Sequence, residues 1–275
     1  MMKEQASQPT KPRLNAGSAL LVVVLYLVAS IVVSLFASIF FGGIRASATD
    51  RVIDGVIDSS IVANLIVMVG LLAVSLWFFR ASRQDIFFER KRFGLSKLYY
   101  VFPLVYLGVT LFALTQVDYT AYSVSVILLT LVATLAIGVN EEIVTRGILL
   151  VGLRNSGLAE WLVWLITVVL FSILHLVNVA GGAYLTVLLA TAAGGILLYV
   201  SRRVFNNLFV PIGLHALYDV AFYLLPGKYL VGESLPGSVL DIQLGSFLVL
   251  LVASILFIIF GRGLLRRETT GWPTN

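Results

Sequence analysis

The stretch YSVSVILLTLVATLAIGVNEEIVTRGILLVGL, Tyr122 to Leu153, decides the architecture. Its 32 residues are apolar almost throughout, and the only charges in it are Glu141, Glu142 and Arg146. About 20 apolar residues suffice to cross the hydrocarbon layer of a bilayer as a helix. A transmembrane strand would instead alternate in polarity over roughly ten residues, so a β-barrel does not fit. The stretch reads as a membrane helix with ionisable groups placed where they are costly.

Seven further apolar stretches flank it, at 19–41, 61–79, 99–115, 160–179, 183–200, 207–225 and 243–261. The whole chain agrees with that pattern. Of its 275 residues 59% are hydrophobic and 12% charged, with a mean hydropathy of +1.00, whereas a soluble domain is roughly 25% charged. Eight stretches predict an all-α polytopic membrane protein with about eight transmembrane helices. They form a single domain over 19–265, between tails at 1–18 and 266–275. Ala19–Phe41 is longer than the apolar part of a cleavable signal and lacks a small-residue cleavage site, so it reads as retained.

An even number of spans puts both termini on one side. Taking the N-terminus as inside gathers 16 of the 19 Lys and Arg residues in inner segments and leaves Arg45, Arg51 and Lys228 outside. By the positive-inside rule both tails are then cytoplasmic, in a multi-pass protein of the cell membrane. The formal charge of +5 thus reads as topology. No long basic run with interleaved aromatic residues points to nucleic acid. Arg90-Lys91-Arg92, near Phe87, Phe88 and Phe93, reads as an anchor to anionic headgroups, with membrane lipids as the partner. Cysteine is absent, which excludes disulfides, thiolate metal ligands and cysteine nucleophiles.

Polar residues inside the apolar stretches are functional-site candidates by default. The fourth stretch carries Asn140, Glu141, Glu142 and Arg146, the fifth His175 and Asn178, the seventh His215 and Asp219. Glu142 and Arg146, four apart with the acid first, fit a neutralising helical pair. Glu141 lies about 100° around the helix from Glu142 and is free to face elsewhere. Phe171 shares a face with His175, as His215 does with Asp219. A hairpin turning at Arg154–Gly157 leaves an offset of about five residues, roughly 7–8 Å, between Glu142 and His175. Asn140 and Asn178 read as satisfying neighbouring polar groups, and Gly181–Gly182 and Gly194–Gly195 as allowing a turn and close helix packing.

Glu141-Glu142-Ile143-Val144-Thr145-Arg146, Phe171-Ser172-Ile173-Leu174-His175 and His215-Ala216-Leu217-Tyr218-Asp219 have the form EExxxR, FxxxH and HxxxD. In that order, on three apolar helices, they resemble the CPBP (Abi) family of intramembrane proteases. That family includes CAAX prenyl proteases and bacteriocin-processing or immunity proteins. The resemblance is specific over about 140–220 and places the motif core at about 122–225. It implies an intramembrane endopeptidase acting on a membrane-associated or lipidated protein or peptide. Glu141 and His175 would position and deprotonate a water, and His215 would help stabilise the oxyanion. Glu142 and Arg146, with Phe171, would support the site.

Asp219 departs from an amide at that position. An ionised Asp only accepts hydrogen bonds, so it would orient His215, stay protonated or ligate a metal. Glu141, His175 and His215 could hold a zinc with one open position. HExxH is absent and Glu141 cannot easily be both ligand and sole base, so a glutamate-type site needing no metal is favoured, with a divalent metal such as zinc as the alternative. The competing functional reading is a non-proteolytic member of the family, acting in bacteriocin self-immunity or as a regulatory binding partner. A transporter is disfavoured because no inverted repeat or paired broken helices are visible.

Overall fold

The computed structural model describes residues 13–41, 61–90, 97–176, 184–225 and 237–272. Lys91, Arg92, Phe93, Asn178 and Gly181–Gly182 lie outside the described residues, as do residues 1–12 and 273–275 of the tails and the three outer cations Arg45, Arg51 and Lys228. The chain is helical, and among the described residues the only β pairing is a bridge between Phe88 and Asn207.

Helix α1 spans Ala16–Phe41, α2 Ile61–Trp77, the short α3 Arg83–Phe87 and α4 Val101–Thr115. The Ser123 hydroxyl accepts the Val126 N–H and caps α5, Val124–Glu142. From there the backbone passes through a π-helical turn, Ile143–Leu149, into α6, Leu150–Asn155, making one helical run of 32 residues. Then follow α7 (Glu160–His175), α8 (Tyr184–Phe205), α9 (Phe209–Leu224) and α10 (Gly237–Phe260).

Among the described residues, four helical stretches are long and apolar enough to cross a membrane: Lys97–Thr115, Val124–Asn155, Tyr184–Phe205 and Gly237–Gly263. Four shorter apolar helices, Ala16–Val32, Leu65–Trp77, Glu160–His175 and Phe209–Leu224, coincide with the other apolar stretches of the sequence. Large apolar side chains face outward along these helices, with Leu185 68%, Val132 65% and Phe260 64% exposed. Water would penalise such a surface by about 25 cal/mol per Å², whereas lipid does not, so the protein is a transmembrane helical bundle.

The interior is organised around the long run α5–α6. Every residue of its π turn is buried. α9 lies closely against α5 because Gly138 faces it; a β-carbon there would sit 3.0 Å from the Ile212 carbonyl oxygen and 3.2 Å from the Ala216 nitrogen. At the end of the bundle where α6 turns into α7, Asn155 donates to the Leu14 carbonyl and accepts from the Trp272 indole. The two ends of the described chain thus meet at one end of the bundle. α1 begins three residues ahead of its apolar run, and residues 267–272 pack down onto the bundle, with Trp272 buried.

That end also changes the reading of the inner cations. Arg154, Arg202 and Arg203 are at most 1% exposed and do not face lipid headgroups. Glu89 accepts from Arg154 Nη1, Arg202 Nε and Arg203 Nη1. Glu160 accepts from Arg154 and from the Tyr199 hydroxyl. Arg90 pairs through two hydrogen bonds with Asp85 and lies 4.1 Å from the Trp272 ring centre. A guanidinium removed from water needs a carboxylate beside it, and Glu89 and Glu160 supply one. Burial alone would push the Glu89 carboxyl up, but the three guanidiniums outweigh it and hold the group well below the usual carboxylate range.

Candidate active site

The motif residues come together at the C-terminal ends of α5 and α7 and midway along α9. Counted from the observed turn, Glu142 lies 13 residues before Asn155 and His175 lies 15 after Glu160, so the expected offset of about five residues shrinks to two. Glu141 Oε2 is 3.4 Å from His175 Nε2 and 3.8 Å from His215 Nε2. His215 Nε2 is also 3.6 Å from Asp219 Oδ2. About a quarter of the Glu141 and His175 side chains is exposed, whereas His215 is buried.

The second nitrogen of each ring is committed. His175 Nδ1 is 2.8 Å from the Phe171 carbonyl oxygen, which can only accept, so the proton sits on Nδ1 and Nε2 offers a lone pair. His215 Nδ1 is 3.1 Å from Glu142 Oε1, and the same reasoning assigns its proton to Nδ1. Glu141 and Glu142 therefore flank one imidazole from opposite edges instead of serving unrelated directions. Asp219 faces Nε2, and the orienting bond to Nδ1 belongs to Glu142.

Glu142 is fully buried, and its Oε1 also accepts from Arg146 Nη1 at 2.8 Å. Arg146 donates further to Thr145 Oγ1 and to the Gly195 carbonyl, and its guanidinium carbon lies 3.9 Å from the Phe171 ring centre. The other contacts of that ring are His175, with centroids 4.5 Å apart, and His215 at 5.7 Å. Phe171 thus packs against a cation and two imidazoles, an arrangement favoured by the negative face of the aromatic ring. Gly195 makes room for it, since a β-carbon there would lie 3.1 Å from both Arg146 Nη2 and the Phe171 ring. Gly195 and the π turn beneath Glu142 were not distinguishable as site elements in the sequence. Asn140 is buried, and its Oδ1 has no hydrogen-bond partner among the described residues. Its contribution is not explained by the site.

Glu141 Oε2 is buried and takes part in no hydrogen bond among the described residues. Two imidazole lone pairs face this carboxylate oxygen across 3.4–3.8 Å. These distances exceed direct hydrogen bonding and suit a water that donates to two of the three. The donor types are also those of a zinc site, but no group of three or more His, Asp or Glu among the described residues is arranged to hold a metal ion. A cleft of about 600 Å³ between α4 and α10, lined by Val105, Phe112, Asp241 and Ser246 among others, shares no residue with the site.

A search of curated proteins found no match to the chain. Residues 123–221 match the family described as type II CAAX prenyl endopeptidase Rce1-like, an interval that begins at the cap of α5 and ends two residues beyond Asp219. The segment that builds the site therefore matches the CPBP/CAAX protease family.

Proposed function

We propose that the protein is an intramembrane endopeptidase that cleaves membrane-associated, CAAX-type protein substrates with a water activated by Glu141 and His175. One observation carries the reading: a buried, unpartnered carboxylate oxygen faces two imidazole nitrogens whose lone pairs are directed at it by bonds on the opposite edge of each ring. Three acceptors so placed call for a proton-bearing group between them, and water is the reactant of hydrolysis.

Glu141 accepts the water proton as oxygen attacks the scissile carbonyl, and returns it to the leaving amine; His175 Nε2 orients the water. His215 takes up a second proton from solvent, at Nε2 beside Asp219, when substrate binds, and donates that Nε2–H to the developing oxyanion. Asp219, facing the same nitrogen, fixes the direction of that N–H until the oxyanion replaces it. No metal is required. Eight apolar helices span the cell membrane with both termini cytoplasmic, and lipids contact the outward apolar faces.

The test uses purified protein in proteoliposomes with a prenylated CAAX peptide and its unprenylated counterpart. Wild type is expected to cleave, with activity retained after chelation. Glu141→Gln is expected to lower kcat about 10²- to 10⁴-fold while leaving thermal unfolding unchanged. A folded Glu141→Gln protein that cleaves at the wild-type rate overturns the reading.

A further inference from the structure

Arg202, near the end of α8, is fully buried. Nε donates to Glu89 Oε1 at 2.9 Å, and Nη2 donates to the Asp85 carbonyl at 2.9 Å. Nη1 donates to the Ile86 carbonyl at 2.9 Å and to the carbonyl of Arg146. The last contact reaches into the π turn. In an α-helix the Arg146 carbonyl would accept the N–H of Leu150, four residues on. Here the Leu150 N–H goes to Thr145, five residues back, and to Gly147. The guanidinium of Arg202 takes the place of that amide at the Arg146 carbonyl.

Single π turns inside α-helices need their displaced backbone groups satisfied and recur at functional sites. This one begins immediately after Glu142 and contains Arg146, the two residues that orient His215 through Glu142 Oε1. We propose that Arg202 is a positioning residue for the active site: by supplying the missing donor at Arg146, it holds the π turn at the rotation that presents Glu142 to His215. The chain of contacts runs from α8 through the Arg146 backbone to the Arg146 side chain, Glu142 and His215. The proposal rests on the proteolytic reading only for what the positioned ring then does.

A lysine keeps the charge of Arg202 but has no planar fork with which to reach Glu89, the two carbonyls at the end of α3 and the π turn together. The protein has two histidines, so isotope-labelled histidine reports each ring separately by nitrogen NMR. In wild type His215 is expected with its proton fixed on Nδ1. In Arg202→Lys its ring signals are expected to shift toward exchange between tautomers. The His175 signals should stay in place, because the Phe171 carbonyl that fixes them belongs to its own helix. The kcat per folded molecule is expected to fall about 10- to 100-fold with KM little changed.

Unchanged His215 signals in folded Arg202→Lys overturn the proposal and reduce Arg202 to a stabilising residue. If that variant does not fold, Glu89→Asp keeps every charge, draws the carboxylate back from Arg202 Nε and is judged by the same His215 signals. These spectra need no cleavage, so an inactive wild-type protein would defeat the proteolytic reading without deciding this one.

Discussion

Glu141 and Glu142 are adjacent carboxylates with opposite surroundings. Among the described residues Oε2 of Glu141 takes part in no hydrogen bond, and the side chain is a quarter exposed. Glu142 is buried and is the ion-pair partner of Arg146. Neutralising each should therefore have different consequences. Glu142→Gln leaves the buried Arg146 without a counter-charge and is expected to cost about 3–5 kcal/mol, lowering the melting temperature and cleavage together; Glu141→Gln should lower cleavage alone. Thermal unfolding in detergent, measured beside turnover, separates the two. The Glu142–Arg146 pair was legible because its partners are four residues apart. The Glu142–His215 bond was not, because it joins residues 73 apart; for Asp219, at the helical spacing from His215, the sequence offered three alternatives, one of them orienting the ring.

Helices of continuous Leu, Val and Ile could be read directly from the sequence, since every apolar stretch holds one. Their spacing could not. The approach of α9 to α5 is set at Gly138, where backbone atoms of Ile212 and Ala216 leave no room for a side chain. Small residues of this kind let membrane helices pack closely. Gly138→Val is expected to push α9 outward, cost about 1–3 kcal/mol through overpacking and draw His215 away from Glu142. The variant should show lower kcat and a lower melting temperature, and unchanged values for both would show that α9 accommodates the side chain. The π turn was equally invisible, as Ile143–Leu149 has the composition of an ordinary helix. It exists because tertiary donors, Arg202 foremost, satisfy what the local backbone leaves open.

For the molecule as a whole, the cluster of Glu89, Glu160, Arg154, Arg202 and Arg203 joins the α3–α4 connection to α6, α7 and α8. Its partners lie up to 114 residues apart, so the sequence showed these arginines only as inner-loop cations. Glu89→Gln is expected to cost about 3–5 kcal/mol at neutral pH, read as a drop in melting temperature. Because the folded-state pKa of Glu89 is depressed, its stabilising contribution is complete above the unfolded value near ~4 and fades as pH falls below it. The gap in melting temperature between variant and wild type should therefore narrow only in strong acid. A gap already closed at mildly acidic pH would contradict the depressed value.

The burial of Arg154, Arg202 and Arg203 also separates two moments in the life of the chain. During insertion each helix enters the bilayer before its neighbours have packed, and cations flanking it act as retention signals on the inner side. In the proposed topology, which puts Arg154, Arg202 and Arg203 on the inner side, their charge would serve that orienting task before Glu89 and Glu160 pack beside them. Once the bundle closes they are withdrawn from the membrane surface and become its internal ties. Lysine at these positions would preserve the first task, which needs only charge. It would fail the second, which needs the fork.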